Sequence, residues 1–190
     1  MASQIALSAL LAVMPCTNAW GDSTNSFADL TGSAAIRVTR INPTAFVFVG
    51  DTDRVLGTTD TLFGQPILRF SSLSQIGQPG VGVPTSALTV GQAKTANGGA
   101  ADAALISLSL RVVILDTLSG PRGRILHVKD TTASLVDTLE VHLDTAAQFD
   151  SAHVTRDTIN ARVHLSGILF PSTVPGRWML KPRSPADQSP

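Results

Sequence analysis

The stretch 122–171 constrains the fold most, because three of its runs alternate apolar and polar residues with a period of two. In the last run, Val163 and Leu165 fall on one side of an extended chain, and Arg162 and His164 fall on the other. Such runs predict half-buried strands of an antiparallel sheet or small barrel, with one buried and one solvated face. The runs are RILHVKD (124–130), DTLEVHL (137–143) and DTINARVHL (157–165).

Size and charge narrow the class of protein. A chain of 190 residues is one domain, or one domain and a fragment. Cys16 is the only cysteine, which excludes an intrachain disulfide and a cysteine-based zinc cluster. Basic and acidic residues number 14 each, and tyrosine is absent. A neutral chain lacks the basic surface that binds phosphates, and few aromatic rings leave little scope for base stacking. Nucleic acid is therefore expected to be an unlikely partner.

Residues 1–20 contain an apolar run from Ile5 to Met14, followed by small residues spaced as at a signal-peptidase site. The run is shorter than the roughly 20 apolar residues that a membrane-spanning helix needs. It therefore predicts a signal or a retained anchor that touches the membrane peripherally through residues 4–14, with a buried N-terminal helix as the alternative. The predicted location is periplasmic or extracytoplasmic, with possible membrane association.

Composition divides the rest of the chain. A polar linker is predicted at 21–33 and a Gly/Pro-rich linker at 77–86, so that an N-terminal β unit spans 34–76 and the main domain spans 87–187. Residues 51–61 are rich in Asp and Thr and are interpreted as a loop. Short pieces of the two halves echo one another in the same order, as GQPILRFSS (64–72) and GRWMLKPRS (176–184) do. A true duplication and chance similarity both remain open.

Residues 88–187 resemble the OB-fold domains of exported bacterial proteins. The resemblance lies in the order of LTVGQAK (88–94), LISLSLRVVIL (105–115), RILHVKDTT (124–132), DTLEVHL (137–143), DTINARVHLSG (157–167) and RWMLKPRSPAD (177–187). It implies an all-β, five-stranded OB-like barrel with additional N-terminal strands, or with a second, truncated OB-like unit at 34–72.

The resemblance also implies a ligand face. OB folds bind through their second and third strands and through the loops that join strands one to two and four to five, which correspond here to 117–123 and 171–177. The predicted binding residues are Arg122, Arg124, His127, Lys129, His142 and Arg177.

Two groups of side chains are candidate metal sites, with ordinary surface roles as the alternative. His127, His142 and His164 fall on polar faces, but their spacing is not diagnostic of zinc. The Asp-rich loop 50–60 supplies carboxylates but lacks the order of a calcium-binding EF-hand loop. No nucleophile elbow and no phosphate-binding glycine loop is present. The sequence therefore predicts no enzyme, no cofactor and no metal.

The function expected from these features is that of a non-catalytic accessory or scaffold subunit. As an exported OB-like module, it would stabilise a larger membrane or envelope protein complex through protein–protein contacts. One alternative is an OB domain that binds a ligand or single-stranded nucleic acid. A further alternative is a viral or appendage shell protein.

Overall fold

The fold comes from a computed structural model, in which the chain divides into two compact units. Residues 1–85 together with 103–105 form the first unit, and residues 86–102 together with 106–190 form the second. The structure describes residues 4–17, 23–29, 35–39, 52–62, 65–77, 85–120, 123–131, 137–144, 149, 158–172 and 174–190.

The first unit is a closed barrel of five strands. The strands are β1 (Gln4–Thr17), β2 (Ser23–Asp29), β3 (Ala35–Thr39), β4 (Thr52–Leu62) and β5 (Gln65–Gly77). Around the barrel their order is β1-β2-β3-β5-β4, and β1 closes the ring by pairing antiparallel with both β2 and β4. Only the β3–β5 contact of this ring is parallel.

Three expectations for the N-terminal half are corrected by this barrel. The apolar segment 4–14 is a paired strand and not a short helix, because its backbone groups bond to β2 and β4. The segment 21–33 contains β2, and the Asp/Thr-rich segment 51–61 lies mostly within β4. Threonine is β-branched and favours strands, so it suits β4 as well as it suits a turn. The predicted strand at 44–49 lies outside the described residues.

A short connecting segment opens the second unit. It comprises β6 (Ser86–Leu88), α1 (Val90–Lys94) and β7 (Leu105–Leu108), with β6 and β7 paired in parallel. Thr89 and Gln92 form a capping box at the start of α1. The Val90 N–H also donates to Oδ2 of the buried Asp130, at 3.1 Å. These bonds fix the helix against the barrel that follows.

The barrel of the second unit has five main strands. They are β8 (Val112–Gly120), β9 (Gly123–Asp130), β10 (Leu139–Asp144), β11 (Arg162–Pro171) and β12 (Trp178–Lys181). Their order is β8-β9-β10-β12-β11, and β11 closes the ring by pairing with both β12 and β8. As in the first unit, the third and fifth strands are parallel. The all-β, OB-like prediction is confirmed, and the N-terminal strands form a five-stranded barrel of their own.

The core of the second barrel follows the predicted alternation. Leu126, Val128, Val141, Val163 and Leu165 are all buried. The apolar segment 105–115 is divided into β7 and β8, because the chain bends between them. No helix in the described part of the chain is both long and apolar enough to cross a membrane.

The C-terminal segment is fastened to β11. After a 3₁₀ turn at Pro185–Asp187, β13 (Gln188–Ser189) pairs with His164 and Leu165 of β11. The Arg183 guanidinium contacts both carboxylate oxygens of Asp187, at 2.9 and 2.7 Å. The Ser166 hydroxyl donates to the same carboxylate at 3.1 Å. This partly buried ion pair holds the chain end against the barrel.

Candidate ligand-binding cleft

A cleft of about 290 Å³ opens on the outward face of the second barrel, and we call it the β9–β10 cleft. It lies on β9 and β10, which are the second and third strands of the ring, and reaches the loop between β11 and β12. This is the region through which OB folds bind their ligands. Its polar lining consists of Lys94, Asp116, His127, Thr138, Glu140, Ser172 and Arg177.

A row of three titratable side chains crosses the cleft. Asp116 on β8 is the register partner of His127 on β9, which is in turn the partner of Glu140 on β10. His127 Nδ1 lies 3.9 Å from Asp116 Oδ2. On β10, His142 Nε2 lies 3.4 Å from Glu140 Oε2. Strand pairing alone therefore places imidazole and carboxylate groups side by side.

A β-bulge shapes the β8 side of the cleft. The register between β8 and β9 shifts between Ile114 and Asp116, which leaves Leu115 as the extra residue. A bulge breaks the strict alternation of faces and redirects the side chains beside it. Leu115 and Asp116 consequently both line the cleft, although they are adjacent in sequence.

The cations of the cleft come from outside β9 and β10. Arg177 immediately precedes β12, and Lys94 is the last residue of α1. Lys94 Nζ lies 3.8 Å from Asp137 Oδ1, so an acidic neighbour already screens part of its charge. Two basic side chains thus face two carboxylates across one cleft, which suits a ligand that carries both hydrogen-bond acceptors and donors.

Neighbouring side chains of the cleft shift the pKa of Glu140. The hydrogen bond with His142 lowers the pKa of Glu140, and the charges of His142, His127 and Arg177 lower it further. Partial burial opposes this shift but does not overcome it. Glu140 is therefore ionised near neutral pH and acts as a hydrogen-bond acceptor.

Trp178 forms a fixed wall of the cleft. It is buried, and its Nε1–H donates to Asp102 Oδ1 at 2.8 Å. Phe149 and Phe170 are buried as well. These rings do not offer exposed faces on which a base can stack.

The predicted binding residues are only partly brought together. His127 and Arg177 line the cleft. His142 does not line it but contacts Glu140, which does. Lys129 shares the outward face of β9 but lies at the far end of the strand. Arg124 is the register partner of the buried Leu143 and is an odd number of positions from His127, so it belongs to the opposite face of β9. Arg122 lies outside the described residues.

The three histidines that were weighed as zinc ligands do not converge. His127 and His142 lie on neighbouring strands, whereas His164 lies on β11, where it contacts Arg111. In the part of the chain that the structure describes, no three His, Cys, Asp or Glu side chains are grouped to hold a metal ion. Asp60 belongs to the Asp-rich segment 50–60, the candidate calcium site. It lies on β4, where it is ion-paired with Arg69 of β5.

Sequence reasoning missed Lys94 and Asp116 as cleft residues. A signal for Lys94 is the capping pattern TVGQ (89–92), which predicts that a helix begins there and continues towards this lysine. Asp116 directly follows an apolar run, but the bulge that turns it towards His127 leaves no mark in the sequence.

Comparisons with known proteins give weak similarity to solved structures. No family model matches the chain, and no curated protein matches it. A structure of a murine DNA binding protein bound with ds DNA is 10% identical, with 94% of this chain and 90% of that chain covered and a TM-score of 0.43. A tetrameric p202 HIN2 structure is 13% identical, with coverages of 95% and 88% and a TM-score of 0.41. A p204 HINb domain is 11% identical, with coverages of 95% and 92% and a TM-score of 0.39.

These findings correct the expected function and partners. The expected function, that of an accessory or scaffold subunit of a membrane or envelope protein complex, is wrong, because the matched structures named here are HIN domains and a DNA binding protein bound with ds DNA. The expectation that nucleic acid is an unlikely partner is corrected by the same finding.

Proposed function

We propose that this protein binds nucleic acid through the β9–β10 cleft, without catalysis, and mainly through the sugar-phosphate backbone. The observation that carries the proposal is the position of the cleft. It lies on the second and third strands of an OB-like ring, beside the loop between the fourth and fifth strands, and it places Arg177 and Lys94 there together.

Each group of the cleft has a role in such binding. The planar guanidinium of Arg177 donates two parallel hydrogen bonds to phosphate oxygens, and Lys94 adds a point charge. The carboxylates of Glu140 and Asp116 accept hydrogen bonds from sugar hydroxyls or from amino groups of bases. Backbone contacts of this kind set the position of the ligand but carry little sequence information.

The burial of the aromatic rings favours binding through the sugar-phosphate backbone over binding by base stacking. Since Trp178, Phe149 and Phe170 are buried, the described rings of this unit add little stacking energy. Affinity then depends on phosphate contacts and falls with salt, with a dissociation constant on the order of 10⁻⁵ M at physiological salt.

The test compares two arginine variants that lose the same charge. Arg177→Ala removes the guanidinium from the cleft, whereas Arg54→Ala removes an exposed guanidinium from β4 of the first unit. Fluorescence anisotropy with labelled single-stranded and double-stranded oligonucleotides measures the affinity over a salt series. We expect Arg177→Ala to weaken binding about tenfold and to reduce the salt slope by about 0.7–0.9. Arg54→Ala should bind as the unaltered protein does.

Two outcomes contradict the proposal. Absence of binding to either kind of oligonucleotide at low salt would show that the cleft is not a nucleic-acid site. Equal weakening by both substitutions would show that binding follows the total charge and not the cleft. Circular dichroism of both variants confirms that the substitution has not unfolded the barrel.

A further inference from the structure

A second group of basic side chains lies outside the cleft, on the outward side of the β8–β11 pair. We call it the Arg111 cluster, and it consists of Arg111, Arg162 and His164, all of which are exposed. The Arg111 Nε–H donates to His164 Nε2 at 3.2 Å. Arg162 opens β11, two residues before His164 and on the same face, and its register partner on β8 is Val113.

The hydrogen bond defines what the cluster offers to a ligand. Because Nε2 of His164 accepts from Arg111, the neutral ring carries its proton on Nδ1. The imidazole therefore has one N–H left to donate, and the two guanidinium groups supply the remaining donors. The cluster presents several donors and positive charge, which is the complement of an oxyanion.

The surroundings of these arginines differ from those of other arginines in the chain. Arg69 contacts the carboxylate of Asp60, and Arg183 contacts the carboxylate of Asp187. Within the described residues, no carboxylate forms an ion pair with Arg111 or Arg162. The cluster therefore keeps a positive field at the surface, whereas the β9–β10 cleft is nearly balanced in charge.

We infer that the Arg111 cluster is a second phosphate-binding site, which takes one phosphodiester group of the nucleic acid that the β9–β10 cleft binds. The inference rests on the proposed function for the identity of the ligand. Arg162 and His164 are two apart on β11, roughly 7 Å along the strand, and Arg111 contacts His164, so the side chains of both arginines can reach one phosphate. Arginine forks bind phosphate oxygens in pairs, which makes a site of this size selective for phosphate over a simple halide ion.

The distance between the two sites predicts a minimum ligand length. Arg111 immediately precedes β8, and Asp116 lies five positions further along the chain, at the edge of the cleft. Five strand residues extend about 16 Å. At about 3.4 Å per nucleotide along one strand of a duplex, roughly five nucleotides separate the phosphates at the two sites. An oligonucleotide of about three nucleotides reaches one site only, and one of about eight reaches both.

The experiment measures affinity as a function of oligonucleotide length for the full chain. The test variant combines Arg111→Gln and Arg162→Gln, and a control variant carries Arg54→Gln. We expect the unaltered protein and the control to gain at least tenfold in affinity between the shorter and the longer oligonucleotide. The test variant should bind the shorter one normally and lose most of that gain. A side-chain ¹H–¹⁵N spectrum then follows the Arg111 Nε–H during titration with inorganic phosphate, and we expect its signal to move.

The results separate this inference from the proposed function. If Arg177→Ala weakens binding about tenfold while the double variant keeps the full gain with length, the second site is wrong and the cleft remains the binding site. If no oligonucleotide binds but inorganic phosphate moves the Arg111 signal, the proposed function is wrong and the cluster is still a phosphate site. If the Arg111 signal stays unchanged at saturating phosphate, the second site is overturned. The thermal midpoint of each variant shows whether the barrel is intact.

Discussion

At the scale of single residues, Glu140 links the stability of the second barrel to its proposed ligand. Its carboxylate sits between His127 on β9 and His142 on its own strand, and the hydrogen bond with His142 is the main cause of its lowered pKa. The same contacts that keep Glu140 ionised also hold the imidazole rings at the wall of the cleft. The ionised form of Glu140 is therefore the form that the fold favours.

Glu140→Gln tests this dependence, because it removes the charge but leaves an amide oxygen in its place. The pKa of Glu140 is lower in the folded than in the unfolded chain, so the ionised group stabilises the fold above its unfolded pKa of about 4.3. This contribution is lost as pH falls through the folded pKa. We expect the variant to be less stable than the unaltered protein near pH 7, with the difference shrinking below about pH 4. Urea unfolding at a series of pH values measures it, and a pH-independent difference would contradict the assignment.

Which residues could be predicted depends on whether their position is set locally. His127 and His142 are predictable as residues of the outward face because a strand alternates faces strictly. The same rule puts Arg124 on the opposite face of β9 from His127, so these two residues do not belong to one binding face. Arg177 was predicted through the resemblance to OB folds. Lys94 joins the cleft only because α1 packs against the barrel, a contact that no local pattern encodes.

At the scale of elements, the contact between β11 and β12 closes the second barrel. Gly167 lies at this contact, and a Cβ atom added there would come within 2.5 Å of the Lys181 carbonyl oxygen. Backbone atoms of a neighbouring strand cannot move aside as a flexible side chain can. The glycine is therefore needed so that the fourth and fifth strands can approach.

Gly167→Ala should accordingly destabilise the second barrel, by about 1–3 kcal/mol, through the clash with Lys181. Gly91→Ala is the matched control. Gly91 lies in α1, where an added Cβ meets no atom within 4 Å, and the same substitution there should stabilise the helix by about 0.5–1 kcal/mol. Thermal unfolding of both variants measures the two effects. A loss of stability in Gly91→Ala, or none in Gly167→Ala, would show that the strand contact has been misread.

The N-terminal element shows why some elements were mispredicted. A continuous apolar run such as Ile5–Met14 fits a leader, a buried helix and a buried strand equally well, because it has no period to distinguish them. The run is part of β1, and its partners β2 and β4 are polar segments that were interpreted as a linker and a loop. Strand pairing with distant partners decides such cases, and pairing is not visible within the segment itself.

At the scale of the whole molecule, the two units share one strand order with a parallel contact between the third and fifth strands. One of the sequence echoes agrees with this arrangement, because GQPILRFSS covers the start of β5 and GRWMLKPRS covers β12, which are both fifth strands. The echo of IRVTRI (36–41) with LRVVIL (110–115) does not agree, because the first falls on β3 and the second leads into β8, the first strand of its ring. Short β segments resemble one another whatever their place in the fold.

The net charge of the molecule sets the last prediction, which concerns how strongly salt weakens binding. With 14 basic and 14 acidic residues the chain has no overall attraction for a polyanion, so only local contacts release counterions. Four cations take part in the two proposed sites, namely Lys94, Arg111, Arg162 and Arg177. Because Arg111 and Arg162 share one phosphate, at most three phosphates are neutralised, and at about 0.7–0.9 per phosphate the slope of log affinity against log salt should be about −2 to −3. Anisotropy titrations with an oligonucleotide of about eight nucleotides, over a KCl series, measure this slope.

Removing Arg111, Arg162 and Arg177 together should bring the slope to about −1, since Lys94 alone would remain. A slope near −8 in the unaltered protein would require a far larger basic surface than these two sites provide, and would contradict binding at them alone.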